Sequence, residues 1–348
     1  MHKGVGCSMH RWQWRHRMAT ALLTAAAIAA ASFTAAPAAG AAQICTSSAN
    51  PALAAKMSRD IASSYSGRTS HVGVEVVDPA AGIGISCGLH NTWRFYSAST
   101  VKAIILAALL RKAGEQRRSL TAKEKSEAWS MITVSDNNAA TYLWHDAGMW
   151  WLQHFLNLAG MTHTTLGTGG YWGLTLETAY DESVLLHLLV NPNSVLTPSN
   201  RSYELYLMAH VIASQRWGTP AGVPSGFTVH VKNGWLPVAG YGWFINSLGA
   251  FTKTGQTYTV DILTDRNSTM SYGVTTVQDI ARVINRDLHA SAASRVSPSA
   301  PSATWGQPDE TIPARAWSST PSTIAHSLAR PSSTDPAGPP SRELTTER

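Results

Sequence analysis

From Val101 to Leu110 nearly every position is apolar and no polar stripe interrupts the run; a helix apolar on all sides is buried on all sides. Elsewhere the pattern is periodic. Leu53, Met57 and Ile61 share one face of a helix over 51–64, and residues 71–77 alternate as a strand does. Asp78-Pro79 with Gly82 marks a turn, and residues 84–87 return as the partner of a hairpin. Thr121 and Glu124 form a capping-box pattern that opens a helix running to about Ile132. Helical spacing then recurs over 138–145, 149–158 (closed by Gly160), 176–189 and 202–213. After Gly222 the period changes: strands are predicted over 228–231, 242–251 and 257–263, then a helix over 274–288. This order predicts an α/β (α+β) domain. Its five-stranded antiparallel sheet draws its halves from opposite ends of the chain, terminal helices flank it, and an all-helical lobe is inserted between the halves. The cleft between sheet and lobe is the natural place for a site.

Composition narrows the picture. The 348 residues are 44% hydrophobic and 14% charged, with a net charge of +6 spread along the chain. Without a dense basic run, nucleic acid is not an expected partner. Residues 1–42 have the pattern of a secretory signal: Lys3, Arg11, Arg15 and Arg17, then a weakly apolar Ala/Thr-rich run, then Ala39-Gly40-Ala41 as a cleavage site. The expectation is export, with no stable membrane insertion once the signal is removed. The folded domain is expected over 43–289, followed by a disordered Ser/Pro/Ala-rich tail over 290–348. Removal of the signal takes Cys7 with it and leaves Cys45 and Cys87, an even pair expected to form a disulfide in an oxidising compartment. No Cys/His cluster has metal-ligand spacing, so no metal or cofactor is expected.

The candidate chemistry begins at the entrance to the apolar helix. Ser99 and Lys102 stand one turn apart there, so the amine can reach the hydroxyl. Burial lowers a lysine pKa, and a neutral lysine beside a serine is a general base beside a nucleophile. Two further motifs follow. Ser135-Asp136-Asn137 lies between helices, where such residues also serve as N-caps. Lys232-Asn233-Gly234 ends the first late strand, where Asn-Gly also signals a hairpin turn. In this order the three motifs resemble those of the penicillin-recognising serine hydrolases, most closely the class A β-lactamases, over roughly 51–288. Lys253-Thr254-Gly255 fits the third motif better by letter, but too little chain follows it.

The resemblance implies roles. Ser99 attacks an acyl carbonyl, Lys102 takes its proton, Ser135 passes a proton to the leaving nitrogen, and Lys232 keeps that region positive and helps hold the substrate carboxylate. Asn137 would hold the substrate acyl-amide, with Asn233, Gly234 and Trp235 also lining the substrate site. The N–H groups of Ser99 and Trp235 would form the oxyanion hole. It also implies a monomer acting on a small β-lactam or a peptidoglycan fragment. One departure stands out: class A enzymes place a deacylating Glu in the loop that corresponds to 159–174 here, and this loop has no carboxylate. Glu177 is expected to belong to the next helix, and His163 is a substitute base to consider. The alternatives are a D-alanyl carboxypeptidase or esterase, and a binding protein that acylates once without turnover.

Overall fold

The computed structural model describes residues 44–78, 83–87 and 93–290. The expected signal, the turn at Pro79–Gly82 and the tail from 291 onward lie outside the described residues. The sheet is built from β1 (Cys45–Thr46), β2 (His71–Asp78), β3 (Ile83–Cys87), β6 (Thr228–Val238), β7 (Gly242–Lys253) and β8 (Gln256–Asn267). Its order is β1-β3-β2-β8-β7-β6, and every neighbouring pair is antiparallel. The halves come from opposite ends of the chain, as the pattern predicts, and they meet where β2 pairs with β8.

Six strands, not five, make the sheet. The addition is β1, whose two residues are too short to show an alternation. It is set against β3 with Cys45 opposite Cys87, and these two form the disulfide. The bridge closes a chain separation of 42 residues. Reducing it is expected to lower the unfolding free energy by roughly 4 kcal/mol on the loop-entropy scale. A urea titration with and without reductant measures this, and coincident midpoints would contradict it.

Helices α1 (Pro51–Ser64) and α8 (Met270–Leu288) cover one face of the sheet. Met57, Ile61, Ile280 and Ile284 meet Val74, Val260 and Ile262 there in one apolar cluster. The lobe consists of α2 (Val101–Glu115), α3 (Ala122–Thr133), α4 (Asn137–Ala147), α5 (Met149–Ala159), α6 (Ala179–Val190) and α7 (Pro198–Ala209). Helix α2 is its axis, and every residue from Val101 to Leu110 is buried. The capping box of Thr121 and Glu124 is present, and Gly160 closes α5 in the left-handed conformation. Helix α7 begins and ends about four residues earlier than expected, because Thr197 caps it and Pro198 takes its first position.

Two boundary differences bear on the site. Strand β6 does not stop at Lys232-Asn233-Gly234 but runs on to Val238, paired residue for residue with β7. The Asn-Gly pair is therefore mid-strand, and the hairpin turn falls at Gly240, with φ +73°. The second concerns Leu176 and Glu177. They form strand β5 and pair with β4 (Phe95–Tyr96), while α6 starts only at Ala179 behind its cap Thr178.

Candidate active site

The turn that carries Ser99 is held along its whole length by the end of the 160–178 loop. Phe95 and Tyr96 pair with Glu177 and Leu176. Beyond the strand, Ser97 N–H donates to Thr175 O (2.8 Å) and Ala98 N–H donates to Gly173 O (3.0 Å). From the sheet, the buried Asn246 amide donates to the carbonyls of Tyr96 (2.9 Å) and Ser97 (3.2 Å). Ala98 sits at φ +51°, as does Ser135 at φ +58°. Non-glycine residues seldom take this conformation, and such strain gathers where a surrounding structure over-determines the backbone. Ser99 follows Ala98, half-buried, and α2 begins two residues later.

Lys102 is fully buried. Its Nζ lies 2.6 Å from Ser135 O, 3.0 Å from Ser135 Oγ and 2.8 Å from Asn137 Oδ1. Burial first, and then the charge of Lys232, push the Lys102 amine well below its ordinary pKa, against a smaller pull from Asp136. Lys232, also fully buried, donates from Nζ to Ser135 Oγ (3.0 Å) and to Asn233 O (2.8 Å). Burial lowers its pKa to about 7. One hydroxyl thus stands between two buried amines. Both readings of Ser135-Asp136-Asn137 hold, on different residues: Asp136 caps α4 through Ala139 N–H (2.7 Å), while Ser135 and Asn137 meet Lys102.

Gly234 closes the site from the sheet side. A Cβ on it would lie 2.6 Å from Ser97 O and 2.8 Å from Ser99 N, so no side chain fits between β6 and the nucleophile's backbone. The neighbours of Gly234 differ from expectation. Asn233 is buried, and its Nδ2 donates to Gln215 O (2.9 Å) and Trp217 O (2.8 Å). It ties β6 to the 215–217 segment instead of offering its amide nitrogen to a substrate, because successive strand side chains take opposite faces and Lys232 takes the site's. Trp235, on the same face as Asn233, is half-buried against Trp217, with ring centroids 6.1 Å apart. Lys253 ends β7 exposed, its ammonium over the Phe227 ring at 4.2 Å and apart from this cluster.

The loop brings an aromatic ring to the site. Trp172 is buried in a single 3-10 turn over Trp172–Leu174, and Lys102 Nζ lies 4.8 Å from its ring centroid. Its indole N–H donates to Thr141 Oγ1 (3.1 Å). His163 is exposed and tied to the base of the loop. Its backbone N–H donates to Asp181 Oδ2 (2.8 Å) and its Nδ1 lies 3.2 Å from Asp181 Oδ1. Glu177, Asp181 and Glu182 are all buried.

Residues 125–288 match the model of a beta-lactamase enzyme family, a span that contains Ser135, Asn137 and Lys232 and begins after Ser99 and Lys102. Over these residues the chain is similar to that family. Among solved structures, a class A beta-lactamase representative from Bacteroides cellulosilyticus is 16% identical with a TM-score of 0.59, covering 68% of this chain and 98% of its own. PBP-A is 19% identical with a TM-score of 0.58, covering 67% and 96%. The beta-lactamase from Sphaerobacter thermophilus is 19% identical with a TM-score of 0.57, covering 70% and 98%. These likenesses establish a shared fold. No curated protein matches the chain.

The structure brings Lys102, Asn137 and Lys232 together around Ser135, sets Gly234 against the Ser99 backbone, and bonds the Asn233 amide to the 215–217 segment. No local pattern singles out Trp172 among the many tryptophans that could line a cleft. Sequence reasoning missed the place of Glu177, although the signal was available: Thr178 with Asp181 three residues on is a helix-start pattern that would have left Glu177 outside α6.

Proposed function

We propose that this chain is a secreted serine hydrolase that opens β-lactams or peptidoglycan-like amides through an acyl-serine at Ser99, and that it releases β-lactam adducts slowly. The observation that carries the reading is Lys102, buried on the helix that Ser99 leads into and depressed in pKa, with Ser135 and Asn137 on its amine. Ser99 Oγ adds to the carbonyl carbon and its proton passes to the free Lys102 amine. The proton then moves through Ser135 to the lactam nitrogen as the C–N bond breaks. Lys232, charged below about pH 7, faces the substrate carboxylate. The Ser99 and Trp235 N–H groups receive the oxyanion, a contribution of about 3 kcal/mol per donor in comparable sites. The basic n-region ahead of an apolar run supports export, as does the bridged pair Cys45–Cys87.

Slow release rests on the loop. Its residues 159–174 include no carboxylate, Trp172 occupies the side facing Lys102, and His163 is bound to Asp181. A PBP-A variant, 20% identical, is known as an acyl-enzyme complex with penicillin G, and under this reading the same class of adduct forms here. Losing general-base help lengthens such an intermediate by roughly 10²–10⁴-fold. Mixing the protein with benzylpenicillin and following its intact mass tests the reading. One penicillin equivalent should appear quickly and decay slowly, and a chromogenic cephalosporin should give a one-equivalent burst before a slow phase. No adduct and no turnover would end the acyl-serine reading. Fast, burst-free turnover would end the slow-release part alone.

A further inference from the structure

Behind the nucleophile's turn lies a line of oxygen atoms that has too few hydroxyl protons. Thr100 Oγ1 is 2.7 Å from Ser97 O and 2.5 Å from Glu177 Oε1. A carbonyl and a carboxylate are both acceptors only, and a threonine hydroxyl has a single proton to give. Thr100 cannot donate to both. Glu182 stands beside Glu177. Glu177 Oε2 and both Glu182 oxygens are buried with no donor among the surrounding side chains. A proton on Glu177 satisfies both Thr100 contacts: Glu177 donates to Thr100, and Thr100 donates to the Ser97 carbonyl.

We propose that Glu177 is a protonated positioning residue that fixes Ser99 by donating through Thr100 to the turn that carries the nucleophile. The role rests on the acyl-serine reading of Ser99; the proton assignment rests on the two Thr100 contacts. Ser97 O is the anchor of that turn, since it also receives the Thr100 N–H (3.2 Å) and the Asn246 amide (3.2 Å).

The surroundings favour the neutral form. Glu177 is fully buried, and burial first, then the neighbouring Glu182, raise its pKa well above the ordinary carboxylate value, against a lowering by the Thr100 hydroxyl. Around Glu182 stand Asp181 and Glu204, and around Asp261 stands Glu75, all of them acids. The oxygens of Glu204 and Asp261 are likewise without hydrogen-bond partners among the described residues. Unpaired carboxylates crowded into a dry interior take up protons.

The test compares Glu177→Gln and Glu177→Leu with the parent protein. Labelling of Ser99 is followed with benzylpenicillin and with a fluorophosphonate, which needs only a competent serine. The Gln amide still donates to Thr100, so labelling should stay within about threefold, whereas Leu should slow it by roughly tenfold, the factor for one lost hydrogen bond. The parent-to-Gln ratio of rates, in which Lys232's own titration cancels, should be level at acid and neutral pH and fall at alkaline pH. The infrared difference between parent and Glu177→Gln at pH 7 should contain a protonated carboxyl C=O band. Carboxylate bands in its place, a Gln variant as slow as Leu, or a ratio that rises with pH would overturn the proposal. If Glu177→Leu does not fold, the Gln variant and the infrared band still decide. A parent protein inert to both reagents would instead refute the acyl-serine reading, and the infrared band would still report the proton.

Discussion

A Ser99→Ala variant is expected to take up no mass from benzylpenicillin at any time point, while melting close to the parent protein. The loss should be complete because the acyl group has no other acceptor in the reading: Lys102 and Ser135 relay protons, and both are bound to other groups. Folding should survive, since the fold depends on the apolar burial of 101–110 and on main-chain bonds from Ser97 and Ala98 to the loop. None of these uses the Ser99 hydroxyl. The measurement is intact mass beside a thermal melt monitored by circular dichroism. A folded Ser99→Ala protein that gains one penicillin mass would refute the assignment of the nucleophile.

Lys232→Ala should lower the second-order rate of acylation by roughly 10²-fold, the factor for a charged contact of about 3 kcal/mol in the transition state. Lys253→Ala should leave it unchanged, because that side chain is exposed against Phe227. The opposite pattern would show that the third motif is the later one. The pH profile adds a sign. Burial holds Lys232 at about 7, so its charge is present below that pH and is lost as the pH rises through it. The rate for the free enzyme should therefore decline above about pH 7 through this group. Lys232→Arg keeps its charge at every accessible pH, and a variant of that kind that stays active should lose this alkaline limb. An unchanged limb would assign the titration to another group.

How much of this could be read from the chain depends on whether neighbours in sequence or neighbours in space decide each feature. The burial of α2 was legible because ten consecutive positions leave no polar face, and the start of α3 because Thr121 and Glu124 satisfy each other's backbone within one turn. The late strands were legible, but not their ends: β6 continues past Asn233-Gly234 because eleven rungs with β7 outweigh a local turn preference. Strand β1 could not be anticipated from two residues; only its cysteine pointed to it. In the site, Ser99, Lys102, Ser135 and Lys232 were found by spacing and order. What Asn233 bonds to, what covers Lys102 and what lies behind Thr100 are contacts across 16 or more residues of chain, and side-chain pattern carries no record of them.

The pairing of β2 with β8 has a kinetic consequence. Val72 and Thr264 face each other across the ladder, as do Val77 and Thr259, so the sheet cannot close until nearly the whole domain is available. The inserted lobe, whose helices follow one another along the chain, can gather first from contacts of short sequence separation. Lys102 with Ser135 and Asn137 belongs to that early part, whereas Lys232, Gly234 and the Asn246 that grips the Ser97 carbonyl arrive with the late strands. Long-range strand pairing of this kind is slow, so folding intermediates would hold the lysine without the strand that completes its pocket. Reactivity at Ser99 then reports the last step of folding, and its return after dilution from denaturant should lag behind the recovery of helical circular dichroism.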